Sequence, residues 1–272
     1  MGCVTIDGSA ARPPLNVRAL REALVKPGRI WHDVSVVAET GSTNADLLAL
    51  AQGGAGEGVV LAAEAQTAGR GRMGRHWVSP PRAALMFSVL LRPAAVPAAM
   101  RGWVPLLTGV AAATALSAQA AVDARLKWPN DVLVNGAKLV GILAEQSGDA
   151  IVVGAGINVS TSRDELPVPA ATSLALEGAA CTDRDLLLAR VLTELERWYQ
   201  AWTGARGDPD TCGLRQEYQR LCATLGRQVR VSLPGGTVVT GTASEVDDTG
   251  RLVVCSAARS VPVSAGDVTH VR

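Results

Sequence analysis

The chain has 272 residues, 48% of them hydrophobic, with a formal net charge of +1. That length buries one large core, or a large domain beside a small one. The near-neutral balance excludes a surface coated with nucleic acid, so any anion site is local. The cysteines Cys3, Cys181, Cys212, Cys222 and Cys255 form no C-x-x-C pair. Their odd number and spacing suggest neither a disulfide framework nor a zinc site, and a reducing cytoplasm is the simplest compartment. The opening MGCVTIDGSAARPP lacks the apolar stretch of a signal peptide.

Residues 1–30 are rich in Pro, Gly and Arg and hold one short helical candidate, Val17 to Val25. This is too little for a helix-turn-helix unit, so no DNA partner is expected. "VSVVAE" predicts a strand. "STNADLLALAQGG" predicts a helix with Ser42 or Thr43 near its N-cap and glycines at its end. "GVVLAAEA" and "ALMFSVLLRP" predict two more strands. Arg101 to Ala121 predicts a helix. Its uncharged run to Val122 approaches membrane-spanning length, but is mostly Ala with Thr108, Thr114, Ser117 and Gln119 inside. Such a composition suits a buried core helix, and no membrane partner is expected.

Further along, "RLKW", "DVLVNG", "AKLVGILAEQ" and "AIVVGAGINV" predict short strands joined by hairpin-type turns. Asp183 to Trp202 predicts an amphipathic helix with Leu186, Leu187, Val191, Leu195 and Trp198 on one face, followed by a helix from Pro209 to Cys222. Beyond Gly226 the chain consists of short strands separated by P-G-G, D-D-T-G and A-G-D turns. This predicts a small barrel of the SH3-like sort. The expected organisation is an N-terminal extension, 1–30, an α/β (α+β) catalytic domain with a mixed sheet, 31–223, and a β domain, 224–272.

Between Glu64 and Asp123 there is no acidic residue. In this window lies "QTAGRGRMGRHW", Gln66 to Trp77. Gly69, Gly71 and Gly74 have the spacing of a dinucleotide-binding fingerprint. A fingerprint also needs a helix after it and an acid about 20 residues on. Pro80 and Pro81 preclude the helix, and the acid is missing. The stretch still suits an anion site. Glycines allow close backbone approach. Arg70, Arg72 and Arg75 offer forked donors for phosphate or carboxylate. Trp77 offers a flat face for a base. A loop of this composition can order over a charged ligand. On composition alone, a solvated basic loop accounts for it equally well.

Other stretches decide between the two. Only three of the 26 basic residues are lysines, and two of them, Lys127 and Lys138, lie eleven residues apart. "KWPNDVLV" places Lys127, Asn130 and Asp131 at a strand–turn junction. "AKLVGILAE" sets Lys138 on an apolar strand, where burial is costly without an anionic partner. "GINV" ends another strand with the amide Asn158.

Together with "ETGSTNADLL" and "GAGINV", these segments resemble the biotin–protein ligases, also called holocarboxylase synthetases, in order and spacing from about Thr40 to Asn158. The resemblance implies the fold of the class II synthetase and biotin–lipoate ligase type. It implies that ATP and biotin are substrates, that Mg²⁺ accompanies ATP, and that the acceptor is the biotin carboxyl carrier domain of an acyl-CoA carboxylase. It implies roles for individual residues too. Lys138 would stand between the biotin carboxylate and the α-phosphate, with Arg70 and Arg72 above them and Asp131 beside the acceptor lysine. Ser42, Thr43, Asn44, Gln66, Gly69, Gly71 and Gly141 would surround biotin. Arg75, Trp77, Lys127, Asn130, Asp131 and Asn158 would line the nucleotide. Lipoate–protein ligases share related chemistry, and a non-catalytic biotin- or RNA-binding module would keep the arginine loop without needing Lys138.

Overall fold

The computed structural model describes residues 12–256 and 259–271. Cys3 and the rest of the opening segment lie outside them. The first helix, α1 (Val17–Leu24), starts where the Asn16 side chain accepts from the Ala19 amide, and it buries Leu20 and Leu24. It packs on β1 (Asp33–Val37) and α4 (Arg184–Gly204).

Seven strands form a mixed sheet. They are β1, β2 (Val59–Ala63), β3 (Ala84–Leu91), β4 (Ala124–Lys127), β5 (Asp131–Val134), β6 (Ala137–Ser147) and β7 (Ala150–Asn158). Their spatial order is β1-β2-β3-β7-β6-β5-β4. β1 and β2 run parallel, and the remaining neighbours are antiparallel.

The two faces of the sheet have different cover. On one face Val60, Ala62, Leu85, Phe87 and Val89 join the main core with α3 (Trp103–Ala120) and α4. The helical run Ala98–Ala120, most of which is α3, is long and apolar enough to cross a membrane by length and composition, yet most of it is buried in this core. Helix α3 is apolar around its whole circumference because the sheet and α4 sandwich it. In α4, Leu187, Val191, Leu195 and Trp198 face inward as expected. Leu186 does not: it is 52% exposed, and Leu188 and Leu192 supply the inner stripe instead. The following helix, α5 (Leu214–Leu221), starts later than Pro209, because turns occupy 209–213 and Gly213 takes φ 74° before the first helical residue.

The opposite face of the sheet is covered only in part. Helix α2 (Thr43–Gln52), capped by Ser42, seats Leu47 and Ala51 on Val59, Leu61, Leu90 and Val152. The rest of that face is the floor of the site.

The C-terminal part is an antiparallel five-stranded sheet of β8 (Gln228–Ser232), β9 (Val238–Val246), β10 (Leu252–Cys255), β11 (Ser260–Val263) and β12 (Asp267–His270). The order β11-β10-β9-β8-β12 leaves β11 and β12 at its two ends, without a ladder between them among the described residues. This sheet docks through its 247–251 turn. Trp103 Nε1 donates to Asp248 O at 2.8 Å, and Trp128 Nε1 donates to Gly250 O at 3.1 Å.

Candidate active site

The floor is built by register. Ser88 on β3 lies opposite Gly154 on β7, and Gly154 lies opposite Leu143 on β6. One step along, Met86, Gly156, Gly141 and Asp131 form the next row. Alternate residues of a strand share a face, so Gly154 and Gly156 leave a trough where side chains would otherwise stand. A Cβ on Gly154 would lie 2.2 Å from Asn44 Oδ1, and one on Gly156 2.4 Å from the Trp77 indole.

A β-bulge places the lysine. Between β5 and β6 the register shifts, with Val132 opposite Val140 but Leu133 opposite Lys138. The extra residue, Leu139, turns into the core and is fully buried. Lys138 thereby changes face and joins Gly141 and Leu143 at the cavity. In an unbulged strand it would share a face with Val140, inside the core. Its ammonium lies 2.6 Å from Asp131 Oδ1. The anionic partner that an inward-facing lysine requires is therefore part of the site.

One end of the cavity is a polar network under the start of α2. Gln66 Oε1 accepts from the Thr43 amide at 2.8 Å. The Thr43 and Ser88 hydroxyls are 2.7 Å apart, and Ser88 Oγ donates to Asn44 Oδ1 at 2.6 Å. Asn44 Nδ2 donates to Leu143 O at 3.1 Å and Glu145 Oε2 at 2.8 Å.

The arginine loop closes the other side. Trp77 N donates to Gly69 O at 2.9 Å and Gly71 N to Arg75 O at 2.7 Å, around a 3₁₀ turn at Arg72–Gly74. Gly69 serves this closure, since a Cβ there would meet Trp77 O at 2.5 Å. Each arginine reaches a different element. Arg70 Nη1 is 3.3 Å from Glu145 Oε1, Arg72 Nη1 donates to Asn130 Oδ1 at 3.2 Å, and Arg75 Nη2 donates to Asp267 Oδ1 at 2.7 Å. Burial pulls the Arg72 guanidinium below its ordinary pKa, against the opposing field of Asp267. The Trp77 indole covers Gly141 and Gly156, and its Nε1 is buried without a hydrogen-bond partner. A buried donor of this kind is suited to a ligand acceptor.

The cavity volume is about 430 Å³, within the range of small-molecule sites. Ser42, Thr43, Asn44, Gln66, Arg70, Gly71, Arg72, Arg75, Trp77, Asn130, Asp131, Lys138, Gly141 and Asn158 all line it. Two expected site residues do not. Gly69 shapes the loop, and Lys127 lies at the end of β4, paired in register with Asp131 and close enough to His270 to act on its charge. The structure adds Ser88, Gly154, Gly156, Leu143 and the Pro167, Val168 and Ala171 segment to the wall, and Glu145 just behind it. The glycines were signalled by their period of two within an apolar strand. Ser88 had only the weaker signal of a hydroxyl inside "MFSVLL".

A basic lid, a strand lysine on a glycine floor and a polar recess make a cavity suited to a small molecule that carries negative charge at one end and hydrogen-bonding groups at the other. The family model for the biotin/lipoate A/B protein ligase family matches residues 36–162, and that for the biotin protein ligase C-terminal domain matches 224–271. The biotin–[acetyl-CoA-carboxylase] ligase of Mycobacterium tuberculosis is 46% identical over 270 residues, covering 98% of this chain and 99% of that one. The ligase of the same name from Paracoccus denitrificans is 34% identical over 247 residues, covering 86% and 98%. A structure of the biotin protein ligase of Aquifex aeolicus in complex with biotin and ATP superposes with TM-score 0.72 at 28% identity, covering 89% of this chain and all of that one. The chain belongs to the biotin protein ligase family, and its class is that of a ligase enzyme.

Proposed function

We propose that this chain makes biotinyl-5′-AMP from biotin and ATP and transfers the biotinyl group to a lysine of the biotin carboxyl carrier domain of an acyl-CoA carboxylase, in the cytoplasm. The observation that carries the proposal is the placement of Lys138 by its bulge, between the polar recess and the arginine loop, in a cavity sized for one small acid and part of a nucleotide. The names of the similar ligases and the biotin–ATP complex of the Aquifex aeolicus enzyme support it. The division into an extension, 1–30, a catalytic domain, 31–223, and a β domain, 224–272, belongs to the same proposal.

Carboxylates are poor acyl donors. In the first step a biotin carboxylate oxygen bonds to the α-phosphorus of ATP, and the bond from that phosphorus to the pyrophosphate oxygen breaks. In the second step the carrier lysine's amine bonds to the biotinyl carbonyl carbon, loses a proton, and AMP leaves. Two anions must meet in the first step. Lys138 stands where both can reach its ammonium, and Arg70 and Arg72 face the same space from the loop. Such preorganised charge lowers the barrier without reorganising at the moment of reaction. Arg75, Trp77, Asn130 and Asn158 hold the nucleotide side. Asp131 keeps Lys138 aimed into the cavity and assists the acceptor lysine in the second step. Among the described residues no group of three or more His, Cys, Asp or Glu could hold a metal ion by itself. Magnesium suits such a site, because it binds through phosphate oxygens, water and one or two carboxylates, here Asp131. When bound it shares the charge of the leaving pyrophosphate.

The test is exchange of labelled pyrophosphate into ATP, run with biotin, with lipoate and with neither. Exchange that requires biotin is expected. Exchange with lipoate and none with biotin would reassign the substrate.

A further inference from the structure

Deep in the recess the direction of every hydrogen bond can be assigned by elimination. Asn44 sets the starting point. Its nitrogen must be the atom facing Leu143 O and Glu145 Oε2, at 3.1 and 2.8 Å, because both of those atoms only accept. Asn44 Oδ1 therefore faces Ser88 Oγ at 2.6 Å, and Ser88 must donate its one proton there. The alternative would set two lone pairs against each other in a fully buried position, since Ser88 is 0% exposed. With its proton committed, Ser88 can only accept from the Thr43 hydroxyl, 2.7 Å away. The Thr43 proton has one competing acceptor, Gln66 Oε1 at 3.2 Å, which is farther and already holds the Thr43 amide at 2.8 Å.

The result is a fixed pattern at the cavity end. Thr43 Oγ1 presents lone pairs only, and Gln66, whose oxygen is turned to the Thr43 amide, gives one amide proton to Met86 Sδ at 3.4 Å and presents the other to the cavity. An acceptor beside a donor is the complement of an N–H beside a C=O, the two groups of a cyclic urea. We infer that Ser88 is a specificity-determining positioning residue. It holds the Thr43 hydroxyl as an acceptor for a ureido N–H and so selects a ureido ring over a ring without N–H groups. Gly154 belongs to the device, since a Cβ there would lie 2.2 Å from Asn44 Oδ1 and 2.8 Å from Ser88 Oγ. This inference rests on the proposed binding of biotin.

The experiment is a double-mutant cycle on biotin affinity, measured by calorimetry. Ser88→Ala frees the Thr43 proton and leaves Asn44 Oδ1 without its donor. It should weaken biotin about tenfold, the size of one buried hydrogen bond set wrongly. Desthiobiotin keeps the ureido ring and should lose the same factor. Against a Thr43→Val background, Ser88→Ala should weaken biotin by less than about twofold, because the hydroxyl it orients is gone. A purely structural role for Ser88 would give full, independent losses in both backgrounds, and that result overturns the inference. Ser88→Cys is run in the same cycle. It is a poor acceptor of similar size, so the coupling is read even where the alanine variant does not fold. Failure of the unmodified protein to bind biotin would overturn the proposed substrate. Binding with an additive cycle would overturn only the role of Ser88.

Discussion

Lys138 Nζ lies 2.6 Å from Asp131 Oδ1, across the bulged pair of β5 and β6. The carboxylate stabilises the ammonium at the cavity wall; in the proposed mechanism an incoming pair of anions takes over that role. Lys138→Ala should slow formation of biotinyl-AMP by about 10²–10³-fold, the loss expected for one preorganised electrostatic group. Single-turnover mass spectrometry of the adenylate measures it. Fold stability should fall by about 1–3 kcal/mol, because Asp131 Oδ1 is buried and loses the cation it faces. A near-normal rate would reduce Lys138 to a structural partner of Asp131.

The loop from Gln66 to Trp77 is composed like a mobile lid, yet here it is tied at three points, to β6, to the turn before β5, and to β12. The bond from Arg75 to Asp267 is the tie to the C-terminal sheet. Asp267→Asn should loosen the ligand-free loop, and trypsin should cut within Arg70–Arg75 several-fold faster. Biotin with ATP should remove the difference, because Arg75 then has phosphate oxygens to hold. Equal cleavage of variant and unmodified protein without ligand would mean that the other two ties suffice.

Much of this fold was legible in the sequence, for identifiable reasons. Strands β1 to β7 and helices α2 to α4 follow from apolar period and capping, as with Ser42 before α2 and Asp183 before α4. The motifs named the loop arginines, Lys138 and the Thr43–Gln66 pair. The misplacements came from tertiary effects. Leu186 satisfies a helical period but sits one position off the true inner stripe. Lys127 shares a motif with Asn130 and Asp131 yet belongs to a neighbouring strand with a different outlook. The bulge at Leu139 could not be read at all, because a one-residue slip is a property of pairing and not of either strand alone. Ser88 was hidden for a similar reason: its partners, Thr43 and Asn44, are more than forty positions away.

Gly154→Ala should damage both the fold and the recess. The added methyl would meet Asn44 Oδ1 and Ser88 Oγ, and neither can swing away, since each is held by a second bond. Overpacking of this kind costs about 1–3 kcal/mol, and biotin affinity should drop by at least about tenfold as the network parts. Gly53→Ala is the control: its Cβ would make ordinary contacts at 3.4 and 3.5 Å, and its φ is −74°. That change should be neutral or stabilising by about 0.4–1 kcal/mol. Urea unfolding and calorimetry on both variants test the pair. An unaffected Gly154→Ala protein would show that the floor has room the structure denies.

The last expectation concerns acid. His270 on β12 has Nε2 3.1 Å from Thr224 Oγ1, and that hydroxyl accepts from the Trp128 amide at 3.2 Å. The contact ties the C-terminal sheet to the strand leading into Asn130 and Asp131. Burial pulls the His270 pKa below its ordinary value of about 6.5, and the positive charges of Lys127 and Arg227 pull in the same direction. The folded state therefore prefers the neutral ring. The sign follows from linkage. The stability contributed by the neutral ring is complete above the ordinary histidine pKa. It is lost progressively as pH falls through that value towards the lower folded one, because the unfolded chain takes up the proton first. His270→Gln keeps a hydrogen-bonding group and removes the titration. Melting temperatures from about pH 8 to about pH 5 should fall more steeply for the unmodified protein than for the glutamine variant. The gap between the two slopes should open below about pH 6.5, the ordinary histidine value. Parallel curves would mean that His270 titrates alike in the folded and unfolded chains, and that burial and the two neighbouring cations do not hold its ring neutral.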